Sequence, residues 1–413
     1  MKINGILSKN VIRQVQHNKP LLFLWLASIC SGLSISIYLL CEQWYVLKRL
    51  HMTESLGLIL MATTLPRVIF MMFGGVAADY VRRSRIIFFS LLVRGLLILS
   101  MFLLLTIGQL QFWQLFVFAF SFGSIDAFFW PARDSLLPSL VHKHQLTRAN
   151  SLIQTTSQIT TLIGPLIGAF LLSLLSFKGV FITISILLIT GSLFALNISD
   201  RRIIDQPGKD VSIFVHLKTG FQYVRRSPLL LALMLTFIID NFFFIGPLML
   251  SIPVMADEKF GGSAVHLSLL QSAFAAGMLS GAVLSGLINL RNARGRTVIL
   301  LIMAEGAGLI FLSGAPFLWM AAIILFLIGM AISSINIPVA SLIQETTDQE
   351  KMGRVMSLTT MVSIGFIPLS YAGVSALMTS RLSIYRILLI GGTVLLLYGF
   401  FLWVKARSLK DAS

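Results

Sequence analysis

Six ionisable side chains lie inside long apolar stretches of this 413-residue chain, and they are the residues best placed to do chemistry. A charge surrounded by hydrocarbon is costly, so such residues normally pair with one another, exchange protons or bind a ligand. The four acids are Glu42, Asp126, Asp240 and Glu305, and the two bases are Arg67 and Arg94. Each is a candidate functional residue by its position alone.

Asp240 is the first candidate for a proton or cation site. It lies near the middle of its apolar stretch, beside Asn241 and before Pro247 and Pro253, where a break in a helix leaves carbonyl groups free to bind. Burial favours the neutral form of a carboxyl group, which reversible proton exchange requires. The alternative is that Asp240 pairs with a base or caps a kink.

Glu42 and Asp126 are the other two proton or cation candidates, and each has a plainer interpretation. Glu42 lies toward the outer end of its stretch, where its side chain would reach lipid headgroups, Lys48 or Arg49. Asp126 lies toward the opposite side of the membrane, where it would pair with Arg133.

Arg67 and Arg94 have two interpretations of equal weight. They either form structural ion pairs with the buried acids or make a cavity attractive to substrates that carry carboxylates. Glu305 is expected to be structural.

The elements that position these residues are membrane-spanning helices. With 56% hydrophobic and only 12% charged residues, the chain cannot fold in water without exposing large apolar patches. Its apolar runs are too long and continuous for the alternating strands of a barrel, so the fold class is an all-α membrane protein. The predicted spans are 20–46, 55–79, 85–107, 111–133, 149–173, 177–198, 229–254, 264–289, 297–314, 317–342, 354–378 and 382–404.

The distribution of Lys and Arg predicts the orientation. If the N-terminus is cytoplasmic, cytoplasmic segments carry 24 of the 32 basic residues and the opposite loops carry 6. The positive-inside rule therefore places both termini in the cytoplasm. The net charge of +16 is explained by topology and anionic lipid, and no nucleic acid partner is expected.

A polar stretch divides the spans into two sets of six. Residues 1–198 form the first half, 199–228 a cytoplasmic linker and 229–413 the second half. Within the linker, apolar residues recur at helical spacing beside basic ones, which predicts an amphipathic interfacial helix or, equally, a simple tether.

Matching segments recur in the two halves. Pro131-Ala-Arg-Asp-Ser-Leu leads to Arg148-Ala-Asn-Ser-Leu, and Pro338-Val-Ala-Ser-Leu leads to Arg354-Val-Met-Ser-Leu. Gly75 precedes Arg83-Ser-Arg85 just as Gly286 precedes Arg294-Gly-Arg296. Repeated six-helix halves are typical of transporters with a substrate site where the halves meet.

The loop after the second span resembles the best-known motif of the major facilitator superfamily. The motif reads Gly-x-x-x-Asp-(Arg/Lys)-x-Gly-Arg-(Arg/Lys), and Gly75, Asp79 and Arg83 match it, whereas Tyr80 and Arg82 depart from it. In this superfamily the loop contacts the eleventh helix and biases the protein toward one access state. The resemblance implies a conformational switch made of Gly75, Asp79, Arg83, Gly353 and Arg354.

Several further stretches are similar to the twelve-span exporters that include macrolide-efflux and siderophore-export proteins. Gly164-Pro165-Leu-Ile-Gly168 partly matches the family's antiporter motif, a bendable stretch expected to pack at the interface between halves. Many proton-coupled members carry an arginine in the fourth span where this chain has Phe122, so proton coupling is not implied by that residue.

The superfamily's central cavity is lined by spans one, four, seven and ten. The resemblance therefore implies cavity positions for Glu42, Asp126 and Asp240, and makes Arg67, Arg94, Asn241 and Asn336 the substrate-cavity candidates. Aromatic residues such as Phe128 would suit bulky amphiphiles.

Enzyme chemistry and bound cofactors are not expected. The chain contains no Gly-x-x-x-x-Gly-Lys phosphate loop and no His-Glu-x-x-His helix. Cys30 and Cys41 lie about 16 Å apart on one helix, too far for a disulfide. We expect no cofactor and no metal, and a monomer in contact with membrane lipid.

The resemblance implies a secondary transporter in the cytoplasmic membrane of a bacterium that exchanges protons for a small-molecule substrate. The first hypothesis is efflux of a macrolide-like drug. The second is export of a carboxylate siderophore or related anionic metabolite. The third is a receptor or lipid-moving protein with the same fold and no coupled transport.

Overall fold

The protein is built from helices that follow the predicted spans. The computed structural model describes residues 18–108, 110–199, 221–287, 294–349 and 351–410, and no strand occurs among them. Most of the predicted linker, residues 200–220, lies outside these described residues.

The first half of the chain contains five long helices and three short turns. The helices are α1 (Lys19–Tyr45), α2 (Leu56–Tyr80), α3 (Arg83–Ile107), α4 (Phe112–Leu140) and α5 (Leu146–Leu196). A π-helical turn follows α1 at Val46–Leu50, and 3-10 turns precede α2 and α5 at Thr53–Ser55 and Lys143–Gln145.

Among its described residues the second half contains nine helices, four of which pair up as the parts of two interrupted spans. The helices are α6 (Pro228–Asp240), α7 (Gly246–Glu258), α8 (Ala264–Leu287), α9 (Arg294–Gly314), α10 (Leu318–Thr346), α11 (Met352–Gly365), α12 (Ile367–Thr379), α13 (Ile384–Lys405) and α14 (Arg407–Lys410). A π-helical turn, Asn241–Ile245, joins α6 to α7 directly after Asp240. The backbone on both sides of the turn is right-handed helical, so the break predicted in the seventh span is a local widening of one continuous helical run.

Helix α5 contains two predicted spans. Eleven helical runs among the described residues are long and apolar enough to cross a membrane, and the 51-residue α5 is one of them. At 1.5 Å per residue it would measure about 77 Å, more than twice the roughly 30 Å of a bilayer core. Its backbone is non-helical at Ser176 (φ 58°, ψ 178°), so the expected loop between spans five and six is reduced to a turn at one residue. The twelve-span fold is consistent with this division.

Local sequence signals explain several helix starts. The side chains of Asn18, Ser227 and Ser383 accept a hydrogen bond from the backbone N–H groups of Leu21, Leu230 and Arg386, respectively. Pro20 and Pro228 lie in the first turn, where a missing N–H costs nothing.

The chain divides into two compact units. One comprises Met1–His51 with Ala62–Gly208, and the other comprises Met52–Met61 with Lys209–Ser413. The buried acids Glu42 and Asp126 belong to the first unit, and Asp240 and Glu305 belong to the second.

Close helix packing within each unit depends on glycine. A Cβ atom on Gly123 of α4 would lie 2.0 Å from the Thr63 carbonyl oxygen of α2. In the second unit a Cβ atom on Gly277 of α8 would lie 2.0 Å from the Phe326 carbonyl oxygen of α10. Since lipid provides no hydrophobic drive between helices, such backbone contacts contribute directly to stability.

We expect Gly277→Ala to destabilise the second unit by about 1–3 kcal/mol, because the new methyl group meets backbone rather than a movable side chain. Gly314→Ala is the control, since a Cβ atom there meets nothing within 4 Å. Thermal unfolding in detergent should show a lower melting temperature for Gly277→Ala alone. Equal melting temperatures for the two variants would contradict the packing argument.

Candidate functional site

Asp126 on α4 binds both of the membrane-embedded arginines. The Arg67 guanidinium donates to Asp126 Oδ2, with a distance of 2.8 Å from Nε, and Arg94 donates to Asp126 Oδ1. Trp130 Nε1 also donates to Oδ2 at 3.2 Å. One carboxylate thus joins α2, α3 and α4.

The surroundings of Arg94 bury its charge completely. Its side chain is 0% exposed, and it donates from Nη2 to Ser31 Oγ at 3.0 Å and from Nε to the Ser90 carbonyl at 3.1 Å. The guanidinium lies over the rings of Phe122 and Phe129, at 5.5 and 5.4 Å from their centroids. Phe122 occupies the position where the resembled exporters carry arginine, and here it packs against an arginine from α3.

These contacts decide between the interpretations of Arg67, Arg94 and Asp126. Both arginines form ion pairs, and Arg94 is too buried to line open space. The suggested Asp126–Arg133 pair is wrong, because Arg133 instead pairs with the adjacent Asp134 at 2.7 Å. The side chain of Arg67 remains 27% exposed, so the three-residue cluster carries one excess positive charge with an accessible edge.

Glu42 lies in a separate polar cluster of the first unit. Its side chain is fully buried, and Oε1 accepts hydrogen bonds from the Tyr38 hydroxyl at 2.9 Å and the Thr63 hydroxyl at 3.0 Å. The expectation that Glu42 reaches headgroups or the basic loop is wrong, because the helix rotation turns it inward, while Lys48 lies over the Trp44 ring. The sequence did not indicate Tyr38 or Thr63, whose hydroxyl groups donate hydrogen bonds to Glu42 where a basic partner was expected.

Asp240 and Glu305 face each other in the second unit. Asp240 ends α6 and Glu305 lies on α9, and the two carboxyl groups are near enough to influence each other's charge. Glu305 is 1% exposed and Asp240 is half-buried. Among the described residues, no donor binds either Glu305 oxygen or the buried Asp240 Oδ1. Two ionised carboxylates only accept hydrogen bonds, so such a contact is favourable only when a proton lies between them.

The neighbours of this carboxyl pair are apolar or neutral. Thr236, one turn before Asp240, shares a 3.0 Å hydrogen bond with the Tyr398 hydroxyl of α13. Gly306, beside Glu305, packs so closely on α13 that a Cβ atom would lie 2.8 Å from the Gly392 carbonyl oxygen. Among the described residues, no group of three or more His, Cys, Asp or Glu side chains could hold a metal ion.

The two asparagine candidates are placed differently. Asn241 is 3% exposed, and its amide donates to the Val362 and Ser363 carbonyls of α11 at 3.2 and 3.1 Å. Its placement in a substrate cavity is therefore wrong: it fastens the π-helical turn to α11. Asn336 on α10 is exposed within its unit.

Parts of the predicted switch motif are visible. Arg83 donates to the Ser135 carbonyl of α4 and, at 3.4 Å, to the Ala78 carbonyl. A Cβ atom on Gly75 or Gly353 would meet nothing within 4 Å among the described residues, and the close approach occurs at Gly74 instead, 2.9 Å from the Ala127 carbonyl oxygen. The Asp79 side chain lies outside the described part of the chain, and Arg354 lies near the start of α11, half-buried.

The antiporter-like stretch packs against α1 inside the first unit. A Cβ atom on Gly164 would lie 2.3 Å from Ser36 Cβ, and one on Gly168 would lie 3.4 Å from the Ile37 and Leu40 side chains. Pro165 is buried between them. The small residues therefore serve a contact within one half, where the expectation had been an interface between halves.

We expect Asp126→Asn to destabilise the protein by about 3–5 kcal/mol, because it leaves two guanidinium groups in the apolar interior with no negative partner. Asp134→Asn is the matched control: its carboxylate is 64% exposed and also binds an arginine, so its loss should cost at most about 1 kcal/mol. Melting temperatures of the purified variants measure the difference. A stable Asp126→Asn protein would show that the arginines find other compensation.

Comparison with known proteins gives one consistent family. Residues 24–368 match the sequence profile of the Major Facilitator Superfamily. Macrolide efflux protein A of Streptococcus pyogenes is 25% identical over 389 residues, covering 90% of this chain and 92% of that protein. The multidrug efflux pump Tap of Mycolicibacterium fortuitum is 22% identical over 357 residues, covering 82% and 84%.

Solved structures share the fold at low sequence identity. A POT family transporter in complex with 5-aminolevulinic acid is 13% identical, with a TM-score of 0.73 and coverage of 94% of this chain and 96% of the other. The nucleoside transporter NupG is 11% identical, also with a TM-score of 0.73, and coverage is 93% and 99%. The family profile, the helical architecture and these neighbours agree with the resemblance found in the motifs, and the chain belongs to the Major Facilitator Superfamily.

Proposed function

We propose that this transporter exports a small hydrophobic or amphiphilic molecule of the macrolide type by alternating access, in exchange for protons. Relatives named for macrolide and multidrug efflux, aligned over more than four-fifths of the chain, support the direction and the substrate class. The proposal also includes a bacterial cytoplasmic membrane and cytoplasmic N- and C-termini, as the distribution of basic residues predicts.

The observation that carries proton coupling is the contact between Asp240 and Glu305. Among the described residues neither carboxyl group has a basic partner, whereas Asp126 pairs with two arginines and Glu42 accepts hydrogen bonds from two hydroxyl groups. A proton shared between Asp240 and Glu305 would compensate both carboxyl groups. Loss of that proton leaves repelling acids, which favours a different arrangement of the helices that carry them.

The position of the pair suits it to drive such a rearrangement. Asp240 adjoins the π-helical turn Asn241–Ile245, and π-type turns often lie at functional sites where a helix changes shape. In the proposed cycle, protonation and deprotonation of the pair alter how this turn packs against α9 and α13. Asp126, which pairs with two arginines, keeps its charge.

The conformational switch remains part of the proposal. Asp79 at the end of α2 would bias one access state by meeting the start of α11, where Gly353 and Arg354 lie. Gly164, Pro165 and Gly168 would let α5 adjust against α1.

We expect Asp240→Asn and Glu305→Gln each to abolish macrolide efflux driven by a pH gradient in proteoliposomes, because neither variant can form and release the shared proton. Exchange of labelled for unlabelled macrolide without a gradient should persist, since binding is retained. Glu345→Gln is the control, because Glu345 is 57% exposed and pairs with Arg294.

Two outcomes would contradict this assignment. Gradient-driven efflux in Asp240→Asn or Glu305→Gln would remove the pair from coupling. Wild-type protein that binds a macrolide, shown by a raised melting temperature, but never transports it would favour a receptor or lipid-moving protein.

One observation supports a second candidate, export of an anionic metabolite such as a carboxylate siderophore. The Arg67–Asp126–Arg94 cluster carries one net positive charge, and Arg67 is its exposed member. An anionic substrate would neutralise that excess.

Arg67→Gln separates the two candidates, and it leaves a balanced Arg94–Asp126 pair, so the fold should survive. For an anionic substrate we expect this variant to weaken binding at least tenfold, the loss of about 1.4 kcal/mol of charge interaction. Binding of a neutral macrolide should be unchanged. The rise in melting temperature on adding a metal-free siderophore or a macrolide measures the binding of each ligand. If Arg67→Gln weakens the binding of both ligands equally, the anionic candidate is removed.

A further inference from the structure

A groove lined by aromatic rings runs along the first unit between α2, α3 and α4. Its volume is about 590 Å³, and its walls include four phenyl rings, from Phe70, Phe89, Phe120 and Phe128. At one end lies the guanidinium of Arg85, near the start of α3. None of these residues belongs to the buried charge clusters described above.

A second, polar pocket shares Arg85 with this groove. It has a volume of about 280 Å³ and lies between the start of α3 and the end of α5, where Arg82, Ser84 and Ser199 also line it. Arg85 therefore lies at the boundary between an apolar groove and a polar pocket on neighbouring faces of α3.

The described lining of the polar pocket contains two arginines, Arg82 and Arg85, and no acid. Arg82 and Arg85 are exposed, and within the described ranges no ion pair or side-chain hydrogen bond is recorded for either of them. Their neighbour Arg83, by contrast, is bound to the Ser135 carbonyl. The N-terminus of α3 adds its own positive dipole to the pocket. This combination favours a ligand with a negative head.

The apolar part has the depth of one membrane leaflet. Arg85, Phe89 and Val93 are spaced by four residues, so they lie on one face of α3. Eight residues of helix span about 12 Å, close to the roughly 15 Å of half a bilayer core. Because Arg82 and Arg85 lie at the start of α3, at the membrane end predicted to be cytoplasmic, the leaflet concerned is the inner one.

We propose that this composite site binds an anionic phospholipid, with its phosphate headgroup against Arg82, Ser84 and Arg85 and an acyl chain along the four phenyl rings. Charge selects the occupant: the guanidinium groups of Arg82 and Arg85 repel cationic amphiphiles and attract a phosphate whose headgroup adds no cation. The bound lipid links the start of α3 to the end of α5 and is independent of the transported substrate.

The charge half of the site is tested by mass spectrometry of the intact detergent-solubilised protein with added phosphatidylglycerol or phosphatidylethanolamine of identical acyl chains. Wild-type protein should retain more phosphatidylglycerol than phosphatidylethanolamine. Arg82→Gln/Arg85→Gln should lose this preference, whereas Arg85→Lys should keep it. Arg225→Gln/Arg226→Gln is the matched control, because these adjacent exposed arginines also lie in a region predicted to be cytoplasmic.

The groove half is tested with Ser124→Phe, which fills the space beside Phe120 and Phe128 without changing charge. We expect weaker retention of both lipids. Ser173→Phe is the control, because Ser173 is exposed on α5 and its hydroxyl likewise donates to a carbonyl of its own helix.

Several results would overturn the proposal. The first is an unchanged phosphatidylglycerol preference in Arg82→Gln/Arg85→Gln, or an equal loss of preference in the Arg225/Arg226 control. Unchanged retention in Ser124→Phe would remove the acyl-chain assignment. Displacement of bound phosphatidylglycerol by a macrolide would identify the groove as a substrate site instead.

Discussion

The structure depends on one constraint: lipid offers no counter-charge and no hydrogen bond, so every polar group in a span needs a partner from the protein. Asp126 shows how strict this is. It compensates Arg67 and Arg94 at once, and in doing so it ties α2, α3 and α4 into a single unit. The aromatic rings around Arg94 complete its surroundings with two faces that attract a cation.

The same constraint is met differently in the two units, because their acidic residues have different partners. In the first unit, two arginines neutralise Asp126, and two hydroxyl groups donate hydrogen bonds to Glu42. In the second unit, no base among the described residues pairs with Asp240 or Glu305, and we propose that a shared proton compensates them. A transporter that exchanges protons needs a group whose compensation comes and goes, and this pair meets that requirement next to a π-helical turn. We therefore place proton coupling in the second unit.

Much of this fold was predictable from sequence because the bilayer fixes helix length and the position of charges. The spans and the superfamily follow from apolar runs and motifs. The prolines indicated irregular geometry in the seventh span, where the structure has a π-helical turn after Asp240 and no break. The pairings did not follow, since they depend on helix rotation: Glu42 turns inward toward Tyr38 and Thr63, and Arg133 pairs with its neighbour.

Glu305 was set aside as structural because it lies on a span that is normally peripheral in this superfamily. Counting the acids and bases separately in each half of the chain would have corrected this assignment of Glu305. The interiors of the first-half spans hold the acids Glu42 and Asp126 and the bases Arg67 and Arg94. The interiors of the second-half spans hold Asp240 and Glu305 and no base. Two acids without a base in one apolar unit predict that they meet and share a proton.

The most direct measurement is infrared spectroscopy of the purified protein at neutral pH, observing the carbonyl stretch of protonated carboxyl groups. The account predicts a protonated-carboxyl band that shifts when a macrolide is added and that is lost in Asp240→Asn/Glu305→Gln, but persists in Glu42→Gln. A band that is unchanged in the double variant, or its absence from the wild-type protein, would contradict a shared proton in the second unit.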